Sequence, residues 1–87
     1  MFKRRFKWFG RLVSDEGFSL GFGSKSVTYH DERGEFEFGF EDGLLFLPPH
    51  RSTGPVLQLS PAELDEMVRR VTEALRWDGH AVRVFTN

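Results

Sequence analysis

The sequence predicts an α+β domain in which an antiparallel sheet of about five strands packs one face against a single long helix. Three observations support this fold class. One stretch, about residues 61–77, carries apolar residues at helical spacing. Several stretches before it alternate apolar and polar residues, as half-buried strands do. Turn-forming pairs such as Asp42-Gly43 separate these stretches, and the predicted order is β-β-β-β-(β)-α-β.

Length and composition restrict the chain to one small domain. It has 87 residues, ten of them Phe, so large aromatic side chains must fill much of a modest core. The absence of Cys excludes disulfides and thiolate metal sites. No apolar run approaches the roughly 20 residues that span a bilayer, and the basic N-terminus lacks the apolar core of a secretory signal. These features predict a soluble, cytoplasmic protein without a membrane span.

The net charge of −1 conceals a basic start and an acidic remainder. Residues 1–13 contain five Lys or Arg and no acidic residue, interleaved with Phe and Trp. Residues 14–87 contain seven basic against thirteen acidic residues. We therefore predict a basic aromatic arm at 1–13 and a single α+β domain at 14–87. Two interpretations of the arm stay open: it docks on the acidic domain, or it contacts nucleic acid or an anionic membrane.

Four stretches before the helix are predicted as strands, at residues 17–23, 25–30, 35–41 and 44–47. Turns fix their register: a two-residue hairpin loop at Asp42-Gly43 and a four-residue turn at 31–34. The expected cross-strand pairs are Phe40–Leu45, Phe38–Leu47, Glu41–Leu44, Tyr29–Phe36, Val27–Phe38 and His30–Glu35. Both hairpins then place their apolar pairs on one face, which a slip of one residue would reverse. We expect the helix to cover that face.

The opposite face of these strands is predicted to be acidic with an apolar spot. Glu35, Glu37 and Glu41 alternate along one strand, and Leu44 and Phe46 lie on the next. Like charges at alternate positions repel mildly, which folding alone does not require. The face is therefore either an ordinary solvated surface, its apolar residues covered by the arm or a loop, or a docking surface for a basic partner.

Residues 48–55, PPHRSTGP, are predicted as a loop because their prolines and lack of periodicity oppose a helix or a central strand. His50 and Arg51 lie in this loop and are candidate contact residues, since exposed polar loop residues commonly bind partners. Residues 56–59 are a candidate short strand before the helix. Residues 80–86, HAVRVFT, are predicted as the last strand, beside an earlier one.

The helix carries start and stop signals. Ser60 suits the N-cap, Pro61 the first helical position, and Glu63 completes a Ser-x-x-Glu capping box. Asp78-Gly79 ends the helix, because Gly can adopt the left-handed conformation that follows a helix. This stretch explains the architecture and carries no evident chemistry.

No catalytic or metal constellation is convincing in the sequence. His30, His50 and His80 are scattered, so a metal site would have to be assembled in three dimensions from His30 with Glu35 or Glu37. These two carboxylates could suggest acid–base chemistry, but nothing indicates a cleft around them. Walker, Rossmann and nucleophile-elbow motifs are absent. We therefore predict no enzyme, no cofactor and no resident metal.

A series of motifs runs through residues 27–85: Tyr29 before a turn, a Glu-bearing strand, Pro48-Pro49-His50, Leu59-Ser60-x-x-Glu63 opening an amphipathic helix, Gly79 and a Val-x-Val ending. This series resembles one of the small immunity-protein families of bacterial polymorphic toxin systems. The resemblance implies an antitoxin that binds a cognate toxin domain and occludes its active site.

An acidic surface fits that expectation. Nuclease toxins have basic sites because their substrate is anionic, and an acidic face would mimic phosphate charge and speed association. We predict a cytoplasmic protein that binds a basic toxin domain through Glu35, Glu37, Glu41, Phe46, His50 and Arg51. A homodimer through the exposed face is one alternative. A nucleic-acid or membrane-surface module that uses the basic arm is another, which the acidic charge of the domain disfavours.

Overall fold

The computed structural model describes residues 2–4, 11–54 and 58–86. These ranges contain seven strands and one helix, which confirms the α+β class. The elements are β1 (Phe2–Arg4), β2 (Arg11–Ser14), β3 (Ser19–Phe22), β4 (Ser26–Asp31), β5 (Gly34–Glu41), β6 (Leu44–Thr53), α1 (Pro61–Trp77) and β7 (Arg83–Thr86). The helix of these residues is too short and too polar to cross a membrane.

All seven strands form one sheet, and their spatial order follows the chain from β1 to β7. Every pair from β1 to β6 is antiparallel, whereas β6 and β7 are parallel. The sheet is therefore mixed and larger than the predicted antiparallel sheet of about five strands. The parallel pair arises because α1 carries the chain back across the sheet before β7 begins, as a parallel connection requires.

The segment predicted as a separate arm contributes strands to this sheet. β1 and most of β2 come from residues 1–13, and the expected boundary between residues 13 and 14 falls within β2. Leu12 is only 1% exposed and belongs to the core. Residues 5–10, which hold the rest of the basic and aromatic side chains, lie outside the described ranges.

The predicted registers of the two hairpins are largely confirmed. The observed pairs include Tyr29–Phe36, Val27–Phe38, His30–Glu35, Phe40–Leu45 and Glu41–Leu44. The turn after β4 is tighter than expected, since Asp31 pairs with Gly34. At the next turn, Asp42 and Gly43 have φ angles of 54° and 78°, as a type I′ hairpin needs.

The predicted loop at 48–55 is wrong for most of its length, because β6 continues to Thr53. Pairing with β5 is interrupted instead: Glu37 lies opposite Arg51 and Gly39 opposite Phe46, so residues 47–50 stand against Phe38 alone. The expected Phe38–Leu47 pair is replaced by this bulge. Pro48 and Pro49 in this bulge have no backbone N–H group to donate to the sheet, and a sheet tolerates such residues at an irregular stretch. His50 and Arg51 therefore lie on a strand.

The ends of the last elements also differ from expectation. β7 begins at Arg83, so residues 80–82 precede the strand. The candidate strand at 56–59 falls partly on residues 55–57, outside the described ranges, and Leu59 is not in a strand.

Helix α1 is built as predicted and covers one face of the sheet. The Glu63 N–H donates to Ser60 Oγ at 3.2 Å, and the Ser60 N–H donates to Glu63 Oε1 at 2.9 Å. The apolar stripe of α1 and the inner face of the sheet form one core, which contains Leu12, Phe18, Leu20, Val27, Tyr29, Phe36, Phe38, Leu45, Met67, Val71, Ala74, Leu75 and Val82. The face turned away from α1, the outer face, carries the predicted acidic residues.

Candidate partner-binding face

Strands β4, β5 and β6 bring two carboxylates together on the outer face. Thr28 lies opposite Glu37 and Thr53 lies opposite Glu35 in the sheet pairing. These four residues line a shallow hollow of about 300 Å³, which we call the acidic hollow. Period-2 alternation along β5 places both Glu side chains here, because Phe36 between them and Phe38 after them point into the core.

The acidic hollow has a histidine at its margin. His50 Nε2 lies 3.6 Å from Glu37 Oε1, and the two side chains are 54% and 25% exposed. A pair at this distance and exposure contributes little to stability, so it costs a partner little to displace His50. In the described residues no three His, Asp or Glu side chains come together as metal ligands. The hollow therefore offers charged hydrogen-bond acceptors to an incoming cation.

An aromatic pair lies beside this charge. The Phe46 and Phe85 rings meet edge to face, with centroids 5.6 Å apart, and Phe85 is 48% exposed. Gly39 makes room for them, since a Cβ there would lie 3.2 Å from the Phe46 ring. The apolar spot predicted on this face thus exists, and it includes Phe85, which sequence reasoning did not assign. Only the pairing of β7 with β6 could have revealed it.

Glu41 lies apart from the acidic hollow. It is four residues along β5 from Glu37, the nearer carboxylate of the hollow, or about 13 Å, and its Oε2 is 3.6 Å from Lys25 Nζ. It lines a separate groove of about 640 Å³ whose floor includes Phe22, Phe40 and His80. Of the predicted binding residues, Glu35, Glu37 and His50 meet at the acidic hollow. Phe46 lies opposite Gly39, midway along β5 between Glu37 and Glu41, and Glu41 lies outside the hollow. Arg51 pairs with Glu37 through its backbone, but its side chain lies outside the described part of the structure.

A second polar cluster, which the sequence did not indicate, lies on the helix side of the sheet. Asp31 is 1% exposed at its side chain and accepts hydrogen bonds from the Tyr29 hydroxyl at 2.6 Å and from Arg33 Nη2 at 2.8 Å. Arg70 on α1 donates to the Tyr29 hydroxyl at 2.8 Å. Arg33 also lies 3.2 Å from Glu66 on the helix. This Asp31 cluster (Tyr29, Asp31, Arg33 and Arg70) fastens the β4–β5 turn to α1.

The contacts of the Asp31 cluster set the ionisation of its members. Burial would raise the pKa of Asp31, but hydrogen bonds from Arg33 and Tyr29 outweigh it and hold the pKa below its ordinary value. Burial, reinforced by the hydrogen bond to Asp31, raises the pKa of Tyr29 to about 12. The hydrogen bond to Asp31 raises the pKa of Arg33. At neutral pH the cluster is therefore a charged carboxylate between cations and a neutral phenol, an arrangement that suits a structural brace.

Comparisons with known proteins give no match: no family model, no curated protein and no solved structure matches this chain. The resemblance to immunity proteins thus rests on the motifs quoted from the sequence. Function has to be inferred from the outer face itself, where charge and exposed aromatic surface occur side by side.

Proposed function

We propose that this protein is a binding domain whose outer face docks a basic protein, and that it serves as an immunity protein against a toxin domain of a bacterial polymorphic toxin system. One observation carries the proposal: Glu35 and Glu37 flank the acidic hollow on the same face as the Phe46–Phe85 pair. Exposed aromatic residues are common anchors of protein interfaces, and surrounding charge selects the partner.

The spacing of the two carboxylates supports a basic, nucleic-acid-processing partner. Two residues apart on one strand, the Cα atoms of Glu35 and Glu37 are separated by about 7 Å, on the scale of neighbouring phosphates along a nucleic-acid strand. A site that binds such phosphates through Lys and Arg would accept this pair of anions instead. Binding there blocks the active site without any chemistry by the immunity protein. The motifs from Tyr29 to Gly79 add the resemblance to immunity families.

The decisive variant reverses the charge of the hollow. We expect Glu35→Lys with Glu37→Lys to weaken binding to the toxin domain encoded beside this gene by about 100-fold or more, because attraction becomes repulsion. The thermal unfolding midpoint should stay close to that of the unmodified protein, since Glu35 is exposed and Glu37 partly so. Titration calorimetry measures the affinity, and co-expression with the toxin measures protection of the host cell.

A matched control separates the face from general electrostatics. Glu32→Lys with Asp65→Lys makes the same change in net charge at two exposed positions, in the β4–β5 turn and on α1. This control should bind and protect almost as well as the unmodified protein. Unchanged affinity of the Glu35/Glu37 variant, or equal loss in the control, would rule out the outer face as the binding surface. A gene neighbourhood without a toxin would remove the immunity role.

The alternative function, nucleic-acid or membrane binding through the basic segment, calls for a different variant. Deleting residues 1–11 would strip β1 and part of β2 from the sheet, so charge has to be removed without removing chain. The variant replaces Lys3, Arg4, Arg5, Lys7 and Arg11 by Gln. The unmodified protein and this variant are each used as bait in a pull-down from nuclease-treated host lysate. Capture of the same single protein partner by both baits supports the proposal. Capture of nucleic acid, or loss of the partner with this variant, supports the alternative.

A further inference from the structure

Strand β7 leaves one edge of the sheet open. Among the strands of residues 2–4, 11–54 and 58–86, only β6 pairs with it, and all four of its residues are exposed. An open strand edge presents backbone N–H and C=O groups that can extend the ladder into another chain. Proteins that stay monomeric usually protect such an edge with charges, prolines or bulges.

The side chains of β7 are largely apolar and exposed, so they do not protect this edge. Three large apolar side chains stand out as exposed in the described structure, and two of them, Val84 at 45% and Phe85 at 48%, lie on this strand. Val84 pairs with buried Leu45 and Phe85 pairs with Phe46, so the two point to opposite faces. The edge is therefore apolar on both sides of the sheet, which a new strand alongside would cover.

Little charge on β7 opposes a second copy. The strand, with sequence RVFT, carries a single charge at Arg83. Two copies can therefore pair along this edge in a register that keeps the two Arg83 side chains apart.

The faces of the sheet restrict how two copies can pair. Opposite residues of an antiparallel pair share a face, so in a continuous sheet one residue of β7 lies opposite its own copy. Val84 or Phe85 at that position keeps the two Arg83 side chains apart. The register centred on Val84 sets Arg83 of each copy opposite Phe85 of the other. A guanidinium beside an exposed aromatic ring is favourable, and the two-fold axis repeats the contact. This register gives the only charge of the strand a partner.

We propose that two copies of this protein associate through antiparallel pairing of β7, about a two-fold axis at Val84. The two sheets become one, with both α1 helices on one side and both outer faces on the other. The Phe46–Phe85 pair of each copy then lies beside the contact between the two β7 strands, and the two acidic hollows face the same direction. Dimer formation itself needs no toxin. Where both proposals hold, one assembly presents two acidic hollows, and the Phe46–Phe85 anchor of each lies beside the dimer contact.

The mass of the protein in solution gives the first test. Sedimentation velocity of the full chain should show twice the chain mass of 10.1 kDa, shifting to the monomer on dilution. Phe85→Lys should give only monomer at the same concentration, whereas Asp65→Asn, which makes the same change in net charge at an exposed position on α1, is the control that remains dimeric. A monomer at all concentrations, or a dimer unaffected by Phe85→Lys, overturns the proposal. Neither readout uses the toxin, so failure here leaves the proposed function standing.

Disulfide trapping tests the register independently of stability. The chain has no Cys, so Val84→Cys introduces a single thiol. At the two-fold axis the two Cα atoms would lie about 5 Å apart, within disulfide range. Mild oxidation should therefore link most of the Val84→Cys protein. Thr86→Cys is the control: its two copies would be about 14 Å apart and should stay reduced. Equal linking of both variants, or none of Val84→Cys, contradicts the register.

Discussion

Tyr29 and Asp31 illustrate how one hydrogen bond fixes the charge of two residues. The hydroxyl donates to the carboxylate at 2.6 Å, so the pair is favourable only while the phenol keeps its proton and the carboxyl has lost its own. Arg33 supplies the positive charge that keeps Asp31 ionised although it is buried. The pKa of Tyr29 therefore moves up and that of Asp31 moves down.

Titration of Tyr29 tests this arrangement directly. Because it is the only Tyr in the chain, the absorbance change of tyrosinate reports on it alone. We expect the pKa of Tyr29 to be about 12 rather than the ordinary 10. The folded protein holds the phenolic proton more tightly than the unfolded chain does. The associated stability is thus fully present below pH 10 and is lost as pH rises towards 12.

The control for this titration is Asp31→Asn, which removes the negative charge beside the hydroxyl. It should lower the midpoint of Tyr29, because the hydrogen bond to the carboxylate helps to raise that pKa. Circular dichroism recorded on the same samples shows whether the protein is still folded. An ordinary midpoint in a folded, unmodified protein would contradict the buried hydrogen bond.

Single residues also show what sequence reasoning can reach. Alternation along β5 was enough to place Glu35, Glu37 and, one strand on, Phe46 on the outer face. Burial of Asp31 could not be predicted from the sequence, since an Asp before a turn is ordinarily solvated. Its environment depends on Arg70, which is distant in sequence and arrives only when α1 packs on the sheet. Such long-range contacts leave no local pattern.

Among the elements, the ends of β5 and β6 approach each other unusually closely. Gly34 opens β5 with a φ of 126°, and a Cβ on it would overlap the Thr53 carbonyl oxygen. Gly54, which follows β6 with a φ of 119°, faces Gly34 across this contact. The tight β4–β5 turn and the last residues of β6 can pack together only because both positions lack a side chain.

We therefore expect Gly34→Ala to lower the free energy of unfolding by about 3 kcal/mol or more, through backbone strain combined with the clash. Gly79→Ala is the matched control. Gly79 also has a positive φ, 94°, but a Cβ there meets nothing within 4 Å, so its cost is strain alone, about 1–2 kcal/mol. Urea unfolding measures both. Equal losses would mean that the close contact does not form in solution.

Elements with local signals were predictable, and those decided by distant partners were not. The cap at Ser60 and the stripe of α1 lie within one segment, so the helix was predicted with its bounds. The predicted end of β6 was too early, at its prolines, because no local sequence pattern shows that a bulge opposite Phe38 accommodates them. The first two strands were assigned to an arm because their charge outweighed a short apolar pattern. They are strands because β2 pairs with β3 and β1 pairs with β2.

At the scale of the whole molecule, the Asp31 cluster fastens the sheet to the helix that covers it. Asp31 and Arg33 are on the sheet side of this link, and Arg70 and Glu66 are on α1. We expect Asp31→Asn to cost about 3 kcal/mol of unfolding free energy at neutral pH, because two buried or half-buried arginines lose their carboxylate. Urea unfolding across a series of pH values measures it.

The pH dependence of this cost has a fixed sign. The folded pKa of Asp31 lies below its ordinary value of 3.8, so its contribution is complete above that pH and disappears as pH falls through the lowered folded value. The difference between Asp31→Asn and the unmodified protein should shrink correspondingly in acid. Asp42→Asn, an exposed turn residue whose backbone suits Asn equally well, should show little difference at any pH. A difference for Asp31→Asn that does not change with pH would contradict a lowered pKa.

The agreement of spatial order with chain order has a consequence for synthesis on the ribosome. Each strand from β2 to β6 emerges next to a neighbour that is already made, so the ladder can grow from the N-terminus as the chain lengthens. The helix that covers the sheet is made late, because α1 ends at Trp77, after six strands have been synthesised. Until then the inner face of the nascent sheet exposes Phe36, Phe38 and Leu45 to solvent. The newborn chain therefore passes through a stage at which chaperones have a broad apolar surface to hold.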